Sequence, residues 1–516
     1  METLKAESED DSNDPPVFAP LGTEYINRNV VRRVGVIDVG SNSVRLVVFD
    51  GVARSPAYFY NEKILCGLGK GLLDTGKLNP DGVERALAAI RRFTALAKLM
   101  HLTRLESVAT AAVREASDGK EFCDRVEKET GLTLSIASGA EEGALSAKGV
   151  LLGWPRADGV VCDIGGASME LAHLERGEIG HCETSPLGPL KLSGLDETDL
   201  KKAIDDGIKG LRKAIPGQHG RIFLVGGSWR AVARLDMERR GYPLKVLHEY
   251  RMSREDALET CRWIGTMTVD EMNDLTETSQ ARLELVPLAA RVLPALLKAL
   301  KVKTVTVSSY GLREGMLYEM MPDNLRERDP LIEASRHMER ARARFPGFGD
   351  TLFAWLSPLY KGRSAGEQRL IHAACLLHDI TWRAHPDYRA EVCFETVTRA
   401  NLSGLDHEGR IFLGLSILHR YKSSARSHFD PAIIELLSEE RQLEAEILGK
   451  ALRLGAMLTG AAPGALEDTD ISLRKGVLRL RLRSNARALA GEVVVKRLET
   501  LASRLGVEAS LEVGTD

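Results

Sequence analysis

Two similar strand-turn-strand segments restrict what this chain can fold into more than any other feature of its sequence. Residues 34–49 contain an apolar run that ends at Asp38, a turn of small residues, and a second apolar run that begins after Arg45. Residues 159–172 repeat this order around Asp163. Two β-branched runs joined by a glycine-rich turn predict a tight β-hairpin. Two such hairpins in succession indicate duplicated domains whose turns face each other across a cleft.

Both turns have the composition of a phosphate-binding loop. Glycine lets the backbone bend, and serine and asparagine add side-chain donors to the free backbone N–H groups. Asp38 cannot face a phosphate directly, because two anions repel, so a cation would have to lie between them. An ordinary hairpin with a polar turn explains either segment alone, and only their repetition favours a phosphate site. The candidate phosphate-binding residues of the two turns are Gly40, Ser41, Asn42, Ser43, Gly165, Gly166, Ala167 and Ser168.

The composition is that of a globular protein without a global attraction for polyanions. The 516 residues are enough for about three domains. With 44% hydrophobic residues and a formal net charge of -3, no basic field recruits nucleic acid or a membrane surface. No apolar run approaches the roughly 20 residues that span a bilayer, the N-terminus is acidic, and the seven cysteines form no CxxC pair. We therefore expect a cytoplasmic protein with reduced thiols.

Strand and helix patterns alternate after residue 30, which predicts an α/β fold. Residues 1–30 are acidic and have little to bury, which predicts a disordered tail. Asn79, followed by a proline, predicts the start of one helix, and Ser138 with Glu141 three residues later predicts a capping box that opens another. Charged and helix-breaking residues at 322–330 predict a domain boundary.

Six pieces of the sequence resemble the exopolyphosphatase and guanosine pentaphosphate phosphohydrolase family. They occur in family order, which is far more specific than any one glycine loop. The third turn, Gly226, Gly227 and Ser228, is one of them. The six pieces are residues 38–45, 109–116, 138–142, 163–170, 225–228 and 308–315.

The resemblance implies the actin and sugar-kinase type of fold, shared with Hsp70-type proteins, in which an α/β domain is duplicated. On that basis the predicted domains span residues 31–150 and 151–325, with the final helix able to pack back on the first domain. An all-α domain that resembles the HD phosphohydrolase fold is expected at residues 326–460. A small α+β domain with the order β-β-α-β is expected at residues 461–516.

The resemblance also implies the reaction, which is magnesium-dependent hydrolysis of the terminal phosphate of inorganic polyphosphate or of the 5′ phosphate of guanosine pentaphosphate. Glu142 falls on the catalytic base of the family, and Arg114 on the arginine that holds the scissile phosphate. A polyphosphate end repels an attacking water, so these roles fit the need for charge neutralisation and an oriented water. The residues expected to hold the metal, Mg²⁺ or alternatively Mn²⁺, are Asp38, Asp163 and Glu170. The residues expected to hold the phosphate chain are Gly40, Ser41, Asn42, Ser43, Arg45, Gly165, Gly166, Ala167, Ser168, Gly226, Gly227 and Ser228.

Three residues depart from the family pattern. Ala167 stands where the family commonly has glycine and Met169 where it has threonine, so some backbone freedom and one hydroxyl donor are lost. We expect altered affinity from these two changes and no loss of activity. Trp229 follows the third turn, where nucleotide-binding relatives need small residues. A Trp229 that faces the cleft would obstruct a nucleoside and favour polyphosphate, whereas a Trp229 in the core would not.

The C-terminal third contains two features with competing interpretations. His378 and Asp379 resemble half of an HD metal site, but such a site needs a further histidine and a later aspartate. We therefore favour His378 as an ordinary helix residue. Arg479, Arg481 and Arg483 alternate along one predicted strand. We favour a solvated sheet face over a basic track for a polyanion.

The function predicted from these observations is that of an exopolyphosphatase that acts as a homodimer on inorganic polyphosphate. Guanosine pentaphosphate hydrolysis, with a role in the stringent response and guanosine tetraphosphate as product, would use the same residues. A nucleotide-dependent kinase or ATPase of the same fold and a non-catalytic phosphate sensor are alternatives from other classes. Phosphate release from polyphosphate and from guanosine pentaphosphate would separate the two hydrolases, and nucleotide binding would test the kinase alternative.

Overall fold

The computed structural model describes residues 33–422, 430–462 and 464–514. The predicted disordered tail at residues 1–30 lies outside these described residues. The element order is two α/β sheets in succession, then helices, then a small sheet.

The first sheet contains the first of the two predicted hairpins. Its strand order is β3-β2-β1-β4-β5, with β1, β2 and β3 antiparallel and β4 and β5 parallel to β1. Buried valine, isoleucine and leucine side chains pack β1 and β2 into the core, as the apolar runs predict. The strands are β1 (Val34–Val39), β2 (Ser43–Phe49), β3 (Tyr58–Leu65), β4 (Arg104–Ala109) and β5 (Ser135–Ile136). The helices are α1 (Leu72–Thr75), α2 (Pro80–Leu99), α3 (Ala111–Glu115), α4 (Gly119–Thr130) and α5 (Gly139–Gly153).

The second sheet repeats the topology of the first. Its order is β10-β11-β9-β6-β7-β8, so the run from β8 to β11 corresponds to the whole first sheet, and β10 adds an antiparallel edge strand. The duplicated α/β arrangement of the actin and sugar-kinase type is thereby confirmed. The strands are β6 (Gly159–Ile164), β7 (Met169–Glu175), β8 (Glu178–Ser185), β9 (Arg221–Val225), β10 (Arg251–Ser253) and β11 (Thr304–Val307). The helices are α6 (Pro189–Leu192), α7 (Glu197–Ala214), α8 (Gly227–Arg239), α9 (Arg254–Ile264), α10 (Val269–Leu275), α11 (Gln280–Leu283), α12 (Val286–Ala299) and α13 (Leu312–Met320).

Two helix starts follow from local chemistry. The Asn79 side chain accepts a hydrogen bond from the Gly82 amide at 2.8 Å and caps α2. Ser138 and Glu141 form the capping box predicted for α5. Because Glu141 turns back to the cap, its neighbour Glu142 is free to face inward.

The final helix of this part, α13, packs along α5 and reaches β1. Glycines permit this approach, since a Cβ on Gly315 would collide with the Leu145 carbonyl and a Cβ on Gly149 with the Gly311 carbonyl. The backbone that follows β11 is therefore in direct contact with the helix that carries Glu142.

Helices and a small sheet make up the remainder of the described chain. One hydrophobic core joins them, extending from Leu331 in α15 to Leu480 in β13 and Leu501 in α22. Strand β12 pairs with β13 antiparallel, and β13 pairs with β14 parallel. The elements are α14 (Asp323–Arg326), α15 (Pro330–Arg342), α16 (Phe348–Leu356), a 3₁₀ helix (Ser357–Tyr360), α17 (Ala365–Leu377), α18 (Arg389–Arg399), α19 (His407–Tyr421), α20 (Pro431–Ile434), α21 (Glu439–Thr459), β12 (Thr469–Arg474), β13 (Val477–Leu482), a second 3₁₀ helix (Ser484–Leu489), α22 (Glu492–Leu505) and β14 (Glu508–Val513).

The helices and the cysteines each bear on an expectation from the sequence, namely the lack of a membrane span and the lack of disulfides. Within the described ranges, every helix is too short or too polar to cross a bilayer. All seven cysteines are free thiols. The absence of disulfides agrees with the scattered cysteine positions.

Candidate functional site

A cleft of about 250 Å³ lies where the two duplicated turns meet. A Cβ built on Gly166 would lie 3.7 Å from the Cβ of Ser41, so the two turns face each other as the sequence pattern indicated. The predicted site residues that line this cleft are Asp38, Gly40, Ser41, Asn42, Ser43, Arg45, Glu142, Asp163, Gly165, Gly166, Ala167, Ser168, Glu170, Gly226, Gly227 and Ser228. Arg114 is not among the residues that line the cleft, but it forms an ion pair with Glu142.

The two turns are built alike. In the first, the Gly40 amide donates to the Ser43 carbonyl at 3.0 Å, and in the second the Gly165 amide donates to the Ser168 carbonyl at 2.9 Å. The Ser41 carbonyl accepts from the Gly69 amide at 2.8 Å, which anchors the first turn from behind. Each turn is therefore held in shape before any ligand arrives, which lowers the entropic cost of binding.

The third turn needs glycine for steric reasons. Gly226 has φ 108°, and a Cβ there would lie 2.6 Å from the Ile164 carbonyl oxygen and 3.0 Å from Asp163 Oδ1. Trp229, three residues later, is fully buried in the core beneath the second sheet. The core alternative for Trp229 is thus the correct one, and its indole does not obstruct the cleft.

Glu142 is the predicted base, and it projects from the first turn of α5 into the cleft. Its side chain accepts a hydrogen bond from Arg114 Nη1, which also donates to the Ala137 carbonyl at 2.6 Å. Burial, together with the negative charges of Asp163 and Asp38, raises the pKa of Glu142 to about 7 against the opposing effect of Arg114. A carboxylate with this pKa can exchange a proton near neutral pH.

Three more carboxylates surround Glu142. Ser146 donates to Asp163 Oδ2, and Thr184 donates to Glu170 Oε1 at 3.1 Å. Burial raises the pKa of Asp163, and burial followed by repulsion from Glu142 raises the pKa of Glu170 to about 8. Asp38 forms an ion pair with Arg313 Nη1 at 3.1 Å, and burial raises its pKa.

These carboxylates suit a hard cation that is shared with a substrate. Within the described ranges, no three histidine, cysteine, aspartate or glutamate side chains come close enough to hold an ion by themselves. Mg²⁺ typically keeps several waters and uses one or two carboxylates together with substrate phosphates. Asp163 and Glu170 supply oxygen donors of this kind, and a cation beside them would offset the burial and the repulsion that raise their pKa values. The donor set therefore fits Mg²⁺.

The sequence interpretation missed most of the positive charge in the cleft. Lys63, Arg230, Arg282 and Arg313 all line it together with Arg45. Burial, and then repulsion from Arg282, Arg45 and Arg313, lowers the pKa of Lys63 to about 8. Burial and the charges of Arg313 and Arg282 lower the pKa of Arg230 to about 10. Cations that repel one another in this way form a surface suited to a multivalent anion.

The sequence pointed to some of these cations more clearly than to others. Arg313 belongs to the family-like piece at residues 308–315, and Arg230 follows the third turn directly. Lys63 lies on β3 and Arg282 on α11, far from the motifs in sequence. Only the folded chain brings these two side chains to the cleft.

The His378 and Asp379 pair does not form a metal site in the described structure. Arg344 Nε and Nη2 donate to Asp379 at 2.7 and 2.9 Å, and Arg420 Nη2 donates at 3.2 Å. Burial alone would raise the pKa of Asp379, but the Arg344 hydrogen bonds and the Arg420 charge bring it below its usual value. His378 Nδ1 lies 2.8 Å from the Cys375 carbonyl oxygen.

The arginines of β13 and Arg483, which directly follows this strand, occupy an ordinary polar face. Arg479 forms an ion pair with Glu512 at 2.8 Å, and Arg483 with Asp470 at 3.3 Å. These cross-strand pairs support the solvated-face interpretation.

A second and larger cavity, of about 1060 Å³, lies at the C-terminal end of α5. Four arginines and four carboxylates line it, so their formal charges cancel, and Arg369 forms an ion pair with Asp329. The smaller cleft is therefore the better candidate for chemistry.

Comparisons with known proteins identify the family and several relatives of this chain. Residues 47–324 match the Ppx/GppA phosphatase family, and residues 331–512 match the family described as exopolyphosphatase, C-terminal. Exopolyphosphatase 2 of Mycobacterium tuberculosis is 26% identical over 310 residues, which cover 55% of this chain and 97% of that protein. Guanosine-5′-triphosphate,3′-diphosphate pyrophosphatase of Pseudoalteromonas atlantica is 24% identical over 452 residues, which cover 82% of this chain and 85% of that protein.

A solved structure shares the fold of the N-terminal part. The crystal structure of an exopolyphosphatase from Cytophaga hutchinsonii superimposes with a TM-score of 0.51 and 26% identity, and covers 56% of this chain and 97% of its own.

Proposed function

Because this chain belongs to the Ppx/GppA phosphatase family, which matches residues 47–324, we propose that it hydrolyses the terminal phosphate of inorganic polyphosphate. One observation carries this proposal. The cleft combines a buried carboxylate of raised pKa, Glu142, with a wall of mutually repelling cations that includes Lys63, Arg230 and Arg282. A long polyphosphate is the kind of anion that neutralises several such cations at once.

In the proposed mechanism, Glu142 takes a proton from the attacking water. The deprotonated form is the base, and its raised pKa makes it strong enough to be effective near neutral pH. Arg114 orients this carboxylate through Nη1, and its remaining N–H groups are assigned to the terminal phosphate. The two turns hold the chain through backbone amides and the Ser41 and Ser168 hydroxyls. Positioning and charge stabilisation of this kind account for most catalysis of phosphoryl transfer.

Asp163 and Glu170 are proposed to hold the divalent cation. When bound, Mg²⁺ would neutralise phosphate charge and polarise the bond that breaks. Asp38 was predicted as a third ligand, but its ion pair with Arg313 suggests that it orients this arginine at the phosphate.

The test is release of orthophosphate from long-chain polyphosphate by the purified full-length protein with Mg²⁺. We expect steady release that increases with protein concentration. If neither long nor short polyphosphates yield orthophosphate, the proposal is wrong.

Guanosine pentaphosphate hydrolysis is a second candidate, and two observations favour it. Trp229 lies in the core and leaves the cleft open to a nucleoside. The similarity to the pyrophosphatase of Pseudoalteromonas atlantica extends over 82% of this chain. Parallel kcat/KM measurements on polyphosphate and guanosine pentaphosphate separate the two, and an equal or larger value for the nucleotide would reverse our preference.

Finer parts of the proposal concern the whole protein. A homodimer, Mn²⁺ as an alternative metal, a role in the stringent response and an HD-like fold for residues 326–460 are proposed from family resemblance. A cytoplasmic location is proposed from the scattered cysteines and the lack of a long apolar run, and the boundary at residues 322–330 from their charged and helix-breaking residues. Light scattering of the purified protein would test the dimer directly.

A further inference from the structure

The turn between β11 and α13 connects two distant parts of the molecule. Tyr310 points from this turn toward the C-terminal helices, and Arg313 points from the start of α13 into the cleft. Tyr310, which contacts the helical region, and Arg313, which forms an ion pair with Asp38, therefore lie only three positions apart in the sequence.

Tyr310 is fully buried, and its hydroxyl has two partners in the loop between α18 and α19. It donates to Asn401 Oδ1 at 3.1 Å and lies 2.7 Å from Ser403 Oγ. Since its one proton goes to Asn401, it accepts from Ser403. Both partners lie in the C-terminal helical region. This region therefore holds the turn by hydrogen bonds from outside the duplicated α/β part.

The loop that contains Asn401 and Ser403 is itself held in place by hydrogen bonds. Arg410 is buried, and its guanidinium donates to the Ala400 and Leu402 carbonyls at 2.7 Å each. Asn401 Nδ2 donates to the Pro56 carbonyl at 3.1 Å, which ties the same loop to the first α/β sheet. The loop is a fixed support and cannot follow Tyr310 freely.

The turn transmits the position of Tyr310 to Arg313. Ser308 Oγ donates to the Tyr310 carbonyl at 2.8 Å and accepts from the Tyr310 amide at 3.1 Å. The Gly311 amide donates to Glu314 Oε2 at 2.8 Å, which fixes the first turn of α13. A displacement of Tyr310 therefore moves the backbone that carries Arg313.

We propose that Asn401 and Ser403, acting through Tyr310, position Arg313 for the phosphate chain, so that the C-terminal helical region completes the cleft. This inference rests on the proposed function of the cleft. Tyr310, Asn401 and Ser403 are positioning residues and do not touch the substrate themselves.

A merely structural role for Tyr310 makes a different prediction, and the chain supplies a matched control. Tyr242 also joins the α/β part to the helical region, with its hydroxyl 2.8 Å from His407 Nδ1. Tyr242 lies beyond the C-terminal end of α8, whose opposite end carries the cleft residues Gly227, Ser228 and Arg230. Removing the Tyr242 hydroxyl costs one interface hydrogen bond and removing the Tyr310 hydroxyl costs two, but only Tyr310 belongs to the turn that leads directly into Arg313.

The experiment compares Tyr310→Phe with Tyr242→Phe in the full-length protein. We expect both variants to lower Tm, Tyr310→Phe somewhat more because it loses two hydrogen bonds. For Tyr310→Phe we also expect kcat/KM to decrease about tenfold, because small misplacements of a substrate-holding group are costly. For Tyr242→Phe we expect kcat/KM within twofold of wild type. Equal kcat/KM values for the two variants would overturn the inference.

A double-mutant cycle then tests whether Tyr310 acts through Arg313. On an Arg313→Ala background, Tyr310→Phe should cause no further loss of kcat/KM, because the side chain to be positioned is absent. Full additivity of the two losses would overturn the inference.

Binding keeps this test separate from the proposed reaction. Calorimetric titration with tripolyphosphate should show about tenfold weaker binding to Tyr310→Phe than to Tyr242→Phe. A wild-type protein that releases no orthophosphate would refute the proposed function, whereas equal tripolyphosphate affinities of the two variants would refute the positioning role.

Discussion

The cleft and the His378–Asp379 site of the helical region both contain buried carboxylates, but they neutralise that charge in opposite ways. In the cleft, burial and the charges of neighbouring carboxylates raise the pKa of Glu142 to about 7 and that of Glu170 to about 8, even though Arg114 pairs with Glu142. In the helical region, Arg344 and Arg420 both donate to Asp379 and hold its pKa below the usual value.

This contrast distinguishes a reactive site from a structural one. A carboxylate that already has two guanidinium partners has little affinity left for a metal ion or a proton. In the cleft, Glu142 pairs with Arg114 and Asp38 with Arg313. Among the described residues, the other charged groups of the cleft form no ion pairs with one another, so a metal ion and a polyanion can satisfy Asp163, Glu170, Lys63, Arg230 and Arg282. Unfavourable electrostatics in the free protein are thus what the proposed substrate would relieve.

The largest expected effect is on activity, and it distinguishes the cleft from the His378–Asp379 site. Glu142→Gln should lower kcat for polyphosphate about 10³-fold, because the base is lost, while tripolyphosphate binding remains. Glu141→Gln is the matched control on the same helical turn, since glutamine preserves the capping box. Unchanged turnover in Glu142→Gln would refute the assignment of the base.

The second prediction concerns the charge network of the helical region. Arg420→Met should lower the free energy of unfolding by about 3 kcal/mol, because Asp379 loses a buried partner, and kcat should stay within twofold. Arg479→Met removes an exposed ion pair and should cost less than about 0.5 kcal/mol. Denaturant unfolding measures both, and equal costs would contradict the contrast between these pairs.

Metal binding provides the third prediction. With tripolyphosphate present, Mn²⁺ should bind the Glu142→Gln protein, and adding Asp163→Asn should weaken that binding about 100-fold. Adding His372→Gln, a histidine of the helical region that contacts Asp350, should leave it unchanged. Mn²⁺ titration followed by electron paramagnetic resonance measures the affinity, and loss of binding with His372→Gln would move the metal to the helical region.

A fourth and smaller effect concerns stability against pH. The folded-state pKa of Glu170 is raised to about 8, so the folded protein holds a proton that the unfolded chain releases above its ordinary pKa. Stability from this group is therefore full at acidic pH and lost as the pH rises to 8. At pH 8.5 without metal, Glu170→Gln should raise the free energy of unfolding by about 2 kcal/mol, with little change at pH 4. A destabilised variant at pH 8.5 would contradict the burial argument.

The pH dependence of activity gives the smallest effect. Since Glu142 acts deprotonated and its pKa is about 7, kcat/KM should rise about tenfold between pH 6 and pH 8. The Tyr242→Phe protein should follow the same curve. A flat profile over this range would mean that another group limits the reaction.

The two duplicated hairpins and their turns could be predicted because they depend on local sequence. Asp38 and Asp163 each end an apolar strand, and the turns that follow need small residues whatever surrounds them. The Ser138 capping box is local in the same sense, since its two partners lie within one helical turn. Such features require no knowledge of the rest of the chain.

Other features depended on contacts between distant segments. The sequence could not decide whether Trp229 faces the cleft or the core. Its neighbours along the chain are the same in both cases, and only its packing against distant segments distinguishes them. The sequence did not identify Lys63 and Arg282 as cleft residues. Neither lies in a recognisable motif, and the two come together only in the folded cleft. The partners of Asp379 come from α19 and from the segment before α16, which no local pattern connects.

Residue order alone thus established the repeated α/β hairpins, the small-residue turns and Glu142 beside a helix cap, because short-range sterics and hydrogen bonding govern them. The tertiary structure decided which charges meet, that Arg313 pairs with Asp38, and that Asn401 and Ser403 grip Tyr310. The reason is that electrostatic energy depends on distance and burial in three dimensions, and neither is written in the spacing of residues along the chain.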